Sequence, residues 1–253
     1  MTQERTTTAL HPGKVVKILA AVAVFLFLAN LIGLLLRHII GYEDVYRLAR
    51  LFDFDTERNV PTFYSGCLLL INALLLLIIW QAGRTRSKPK GIWLLLAALF
   101  IFLAYDELFS VHELLIKSIR EAWNLSGVLF FAWVLPYGLG VLLVTALFAP
   151  VWWRMNKTVR LWCGLSAASY LSGTIVFEMI GAKYYQAIGH QRDVVFRMLA
   201  TIEESLELTG LIMFTYSLLL LLQIEYGGLA IEIPGNKKGV PTNRASGGKE
   251  PRR

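Results

Sequence analysis

Six long apolar runs, separated by short polar stretches, organise this chain. They cover residues 15–36, 63–80, 92–116, 128–148, 161–182 and 198–223. At about 1.5 Å of rise per residue, each is long enough to cross a hydrocarbon layer roughly 30 Å thick as a helix. Backbone groups in such a layer must be satisfied within their own element, so the pattern predicts α-helices. A shorter pattern precedes the second run. There Tyr42, Val45, Tyr46, Ala49 and Phe52 recur at helical spacing, with Glu43, Asp44, Arg47 and Arg50 between them. That alternation predicts a short amphipathic helix lying at the membrane interface. The expected fold is all-α: a polytopic membrane helix bundle of six transmembrane helices plus the interfacial helix. Residues 15–223 form the transmembrane domain, and residues 1–14 and 224–253 are expected to be disordered cytoplasmic ends.

Composition supports the membrane class and removes another. The chain has 253 residues, of which 56% are hydrophobic and 17% charged. Its net charge of +7 would suit nucleic acid if the cations formed a patch. They do not. Sixteen of the 25 Lys and Arg residues fall on the side of the two termini, and only 4 of the 18 acidic residues do. This is the asymmetry of a topology signal, so both termini are expected in the cytoplasm and no nucleic-acid partner is implied. The first run is too long for a signal peptide and no small-x-small cleavage site follows it, so it reads as a retained anchor. Cys67 and Cys163 fall inside different spans, towards opposite membrane surfaces, and read as small apolar residues.

Charge inside the runs changes the picture more. Residues 92–105 pass without a charge, and then Asp106, Glu107, His112 and Glu113 arrive within two helical turns. Glu178 lies near the end of the fifth run, and Glu203, Glu204 and Glu207 lie within about 100° of arc near the start of the sixth. Counting residues along each span places carboxylates of three non-adjacent spans at similar depth, in the half away from the termini. No Lys or Arg accompanies them within those spans; the nearest are Lys117, Lys183 and Arg197. Ionisable groups at such depth are costly and mark functional sites by default. Protons, water, rim cations or a metal must balance them.

A divalent metal such as zinc, iron or manganese is one candidate cofactor. Its ligands would be Asp106, Glu107, His112, Glu178, Glu203 and Glu207, combining hard oxygens with a borderline nitrogen. Asp106, Glu107 and Glu207 are the candidate catalytic residues, with Tyr105 and Tyr137 as supporting donors. Phe52-Asp-Phe-Asp-Thr-Glu-Arg-Asn-Val-Pro-Thr62 alternates acidic residues much as a calcium loop does. However, Arg58 and Tyr64 occupy the positions that want Gly and Glu, so it reads as a solvated, capped turn. His38 and His190 read as solvated loop residues, and Pro136 as a kink in the fourth span.

Three segments, 52–62, 103–113 and Glu203-Glu-Ser-Leu-Glu-Leu-Thr-Gly210, resemble an uncharacterised family of bacterial multi-pass integral membrane proteins over residues 40–222. The resemblance implies a bacterial plasma-membrane protein and supplies no activity. From the residues alone, the expectation is a metal-dependent membrane enzyme acting on a lipid or other amphiphile through an outward-facing site. Two alternatives use the same carboxylates. In a proton- or cation-coupled transporter they load and release an ion; in a non-catalytic assembly or sensing subunit they are interhelical glue.

Overall fold

The structure is a computed structural model that describes residues 5–37, 49–84 and 91–234, and side chains within 10–37, 49–83 and 91–229. Seven helices organise it: α1 (Pro12–Leu35), α2 (Val60–Arg84), α3 (Gly91–Phe109), α4 (Val111–Trp123), α5 (Val134–Trp153), α6 (Lys157–Ala187) and α7 (Val194–Tyr226). All but α4 are long and apolar enough to span a membrane. The interfacial helix expected over residues 42–52 lies largely outside the described residues.

Burial ranks the spans. The apolar windows of α7 and α2 are 61% and 56% buried, whereas that of α5 is 6% buried. α2 and α7 therefore form the centre, and α5 is peripheral, with Leu139 and Leu142 exposed to the surroundings. Such an apolar exterior is a liability in water and the ordinary surface of a helix in lipid.

Polar side chains pin the central helices together where no water competes. Asn72 of α2, fully buried, donates to the Leu211 carbonyl at 3.1 Å and accepts from the Thr215 hydroxyl at 2.9 Å. On α1, Leu26, Asn30 and Leu34 recur every four residues and form its buried stripe; Asn30 Nδ2 donates to Thr201 Oγ1 at 2.9 Å. Small residues bring α6 onto α7. Ser166 and Ser169 donate to the Gly210 and Leu206 carbonyls. A Cβ on Gly173 would meet the Glu203 carbonyl oxygen at 2.7 Å, and one on Gly210 would meet the Tyr170 amide at 2.7 Å. Both contacts involve backbone that cannot swing aside, so only glycine permits this approach.

Leucine-rich packing fills the half near the chain ends. Leu75, Leu76 and Ile79 of α2, Trp93 and Leu96 of α3 and Leu218 and Leu222 of α7 form one cluster. At the same end, residues Arg5–Ala9 pair antiparallel with Ala230–Pro234, so the two segments expected to be disordered meet in a two-stranded ribbon.

Two elements depart from expectation. The third span does not continue to residue 116: Ser110 adopts a left-handed conformation (φ 54°, ψ 44°), ending α3 at Phe109 and starting α4 on a new axis. Pro136 makes no kink, because α5 begins at Val134 and the proline sits in its first turn, where its missing N–H costs nothing.

Candidate functional site

At the end of the bundle away from the paired strands, the helices part around a cavity of about 200 Å³. Its first wall is the loop before α2. Asp53 accepts from the Asp55 amide through its carboxylate, and its carbonyl takes bonds from Thr56 and Asn59. Asn59 then caps α2 by accepting from the Thr62 amide at 3.0 Å. This much suits a capped turn. The solvated turn expected there is nevertheless wrong, because Asp53 and Phe54 are each only 5% exposed. Arg37 and Arg197 both reach Asp53 Oδ2, at 3.1 and 2.8 Å, and Arg197 and Arg192 hold Asp55 at 3.0 and 3.3 Å. The Phe54 amide donates to Asn30 Oδ1. Three arginines thus draw the loop into the bundle, where its acidic residues become structural and Glu57 comes to border the cavity.

The break between α3 and α4 supplies the second wall. Ser110 makes no side-chain cap to α4. Asp106 supplies it from the previous helix, with its carboxylate accepting from the His112 backbone amide at 2.7 Å. The same carboxylate lies 3.3 Å from His112 Nδ1, while His112 Nε2 lies 3.6 Å from Glu57 Oε1. Burial alone would lower the imidazole pKa. The hydrogen bond and charge of Asp106, with Glu57 and Glu178, outweigh burial and push it up to about 9. Glu57 moves the other way for an acid: burial first, then the charge of Glu113, raises it to about 7 against the pull of His112. His112 is therefore the charged centre of this wall.

α5, α6 and α7 complete the enclosure. Trp133 Nε1 donates to Glu178 Oε1 at 2.7 Å, and its ring lies 5.1 Å from those of both His112 and Tyr137. A wider π-type turn, Ser172–Phe177, immediately precedes Glu178. Ser172 and Thr174 there bond back to the carbonyls of Ala168 and Tyr170, competing with the regular ladder. Glu178 and Glu203, on neighbouring helices, both border the cavity.

All six residues expected to form a metal set (Asp106, Glu107, His112, Glu178, Glu203 and Glu207) border this one cavity, including the three expected to be catalytic. So do Asp55, Glu57, Glu113 and Glu204, making, among the described residues, nine carboxyl groups beside the cations His112 and Arg192. Their arrangement is open. Among the described residues, no group of three or more His, Cys, Asp or Glu side chains is placed to hold a metal ion. His112 has both ring nitrogens turned to carboxylates, whereas a ligand must offer a lone pair. Tyr137 reaches the cavity, but Tyr105 does not: it is 55% exposed and stacks on Phe109. His190 packs instead against Phe130 and Tyr185, and His38 lies outside the described residues.

Sequence reasoning missed Glu57 and Trp133. The acidic alternation around Glu57 was visible, but its inward course depends on Arg37 just past α1 and on Arg192 and Arg197 around the start of α7. Nothing marked Trp133.

The fold and the cavity define a class, an all-α multi-pass membrane protein with an acidic site at one end. Within that class, a family model described as a domain of unknown function (DUF8692) matches residues 17–222, and the chain belongs to that family. No curated protein matches the chain, and no solved structure does.

Proposed function

We propose that this protein is a membrane enzyme that binds the cationic group of an organic substrate in its acidic cavity. The site faces the outer side of a bacterial plasma membrane, and both termini are cytoplasmic. The observation that carries the reading is the charge balance of one enclosed space. Carboxyl groups from the loop and from α3, α4, α6 and α7 border it, and among the described residues His112 and Arg192 are the cations that line it, with Arg197 reaching Asp55 from behind. Aromatic rings of Phe54, Phe131, Trp133, Tyr137, Tyr170 and Phe196 share the wall and favour an ammonium over a bare ion. About 200 Å³ exceeds what a single metal ion needs, and the open carboxylate arrangement argues the same way. Orientation rests on the Lys and Arg asymmetry.

Glu57, at about 7, is a cavity group suited to exchanging a proton with substrate near neutral pH. Asp106 positions His112, and Glu107, Glu203, Glu204 and Glu207 receive the cation. Below the cavity, Leu208, Leu211 and Leu68 begin a buried apolar layer, which supports a one-sided site rather than a conduit.

The test is thermal unfolding of detergent-purified protein, never exposed to chelators, with tetramethylammonium as probe, alongside elemental analysis. Wild type should be stabilised by the probe, and Glu204→Gln should not. Near-stoichiometric zinc, iron or manganese in wild type, lost in Glu204→Gln, would replace this reading with the metal-dependent enzyme. Absence of both effects would remove the cation altogether. One observation favours a second reading, proton-coupled transport: carboxyl groups of two different spans, Glu178 and Glu203, border the same cavity. Proton flux in reconstituted vesicles, lost in Glu203→Gln, would establish it.

A further inference from the structure

α4 carries three distinct arcs around its axis. At 100° per residue, His112 and Ile116 lie within 40° of each other, and both border the cavity. Val111, Leu115, Ile119 and Ala122 occupy the next 80° and are all apolar. Glu113, Lys117, Arg120 and Glu121 occupy the opposite side. A helix packed on protein would bury its apolar stripe, yet no residue of α4 is buried: Val111, Leu115 and Ile119 are half-buried and Ala122 is exposed.

The chain path says what covers the stripe. α3 ends at Phe109, one residue before α4, and α5 begins at Val134, ten residues after it, so α4 joins two spans at the same membrane surface. Ser110 and Asn124, both left-handed, turn the axis at each end. Arg120 over the Phe130 ring, 4.3 Å from its centroid, ties down the far end, and His112 between Asp106 and Glu57 ties down the near end. A strongly two-faced helix held along a membrane surface, with a tryptophan at its end, sits at the headgroup–acyl boundary.

We infer that α4 lies in the headgroup layer as the lipid-side wall of the cavity, so that the ligand enters from the membrane as the head of a cationic amphiphile. This rests on the cation reading above and adds the source of the ligand. His112 and Ile116 are then the side chains a head passes as it leaves the leaflet, with the apolar stripe guiding its chain.

Two measurements on nanodisc-embedded protein, with Cys67 and Cys163 replaced by Ser, test the inference. Spin labels at Ala122→Cys and Glu121→Cys should separate, the first accessible to oxygen and the second to a water-soluble nickel chelate; equal access to the chelate would overturn the seat of α4. Dodecyltrimethylammonium should then stabilise the protein at concentrations on the order of tenfold or more below tetramethylammonium, since each buried methylene adds to binding. Leu115→Asp should remove that gain while leaving the response to tetramethylammonium. If tetramethylammonium acts and the chain adds nothing, entry from the membrane is wrong and the cation site stands. If neither cation acts while Ala122 faces lipid, the cation reading fails and the amphiphile with it.

Discussion

Leu76 and Ile79 of α2 meet Leu218 and Leu222 of α7 near the chain ends, and none of the four is more than 2% exposed. Three to five turns further along the bundle, the same two helices border about 200 Å³ of space ringed, among the described residues, by nine carboxyl groups. One half is held by close packing. The other is held by ion pairs around Asp53 and by a histidine clamped between acids, and it keeps a void that packing would have closed. The difference teaches where stability and function separate: apolar contacts hold the helices together, and the opposite half accepts like-charge crowding for the sake of a site.

The largest expected effect falls on the polar half. Asp53→Asn leaves Arg37 and Arg197 buried without their shared carboxylate, and breaking such a pair costs about 3–5 kcal/mol. Thermal unfolding in detergent should show it, and a loss equal to that of an exposed control would mean the loop is not held as described. In the apolar half, Leu76→Ala opens a cavity among fully buried neighbours and should cost about 2–5 kcal/mol, with no change in cation binding. A change in binding there would erase the division between halves.

Acidity separates them further. The His112 pKa is raised from 6.5 to about 9, so the folded state holds its proton more tightly than the unfolded chain. Its contribution is complete below pH 6.5 and is lost as pH climbs to 9, on the order of 3 kcal/mol in all. His112→Gln should flatten the pH dependence of the melting temperature over that window; an unchanged slope would assign it elsewhere. The smallest effect has the opposite sign. Glu204→Gln replaces one acid of the crowded wall and should raise stability by about 1 kcal/mol while weakening cation binding. A destabilised Glu204→Gln would mean that the carboxylate is glue.

Period and length of the apolar runs determined the all-α bundle and its six spans, because a hydrocarbon layer leaves a backbone no other solution over such lengths. The carboxylates of α3, α6 and α7 were also legible, since charge at that depth is rare and helical rise converts sequence position into height. Height is not azimuth, however. Only the tertiary structure decided that these groups face one another, through Gly173 and Gly210 letting α6 close on α7. Only it turned Asp53 and Asp55 from a solvated turn into a buried arginine cluster, because their partners lie up to 144 residues away in the chain. The break at Ser110 shows the same limit. The apolar pattern runs through it, and the helix ends because Asp106, already buried, captures the amide of His112 and starts a new axis.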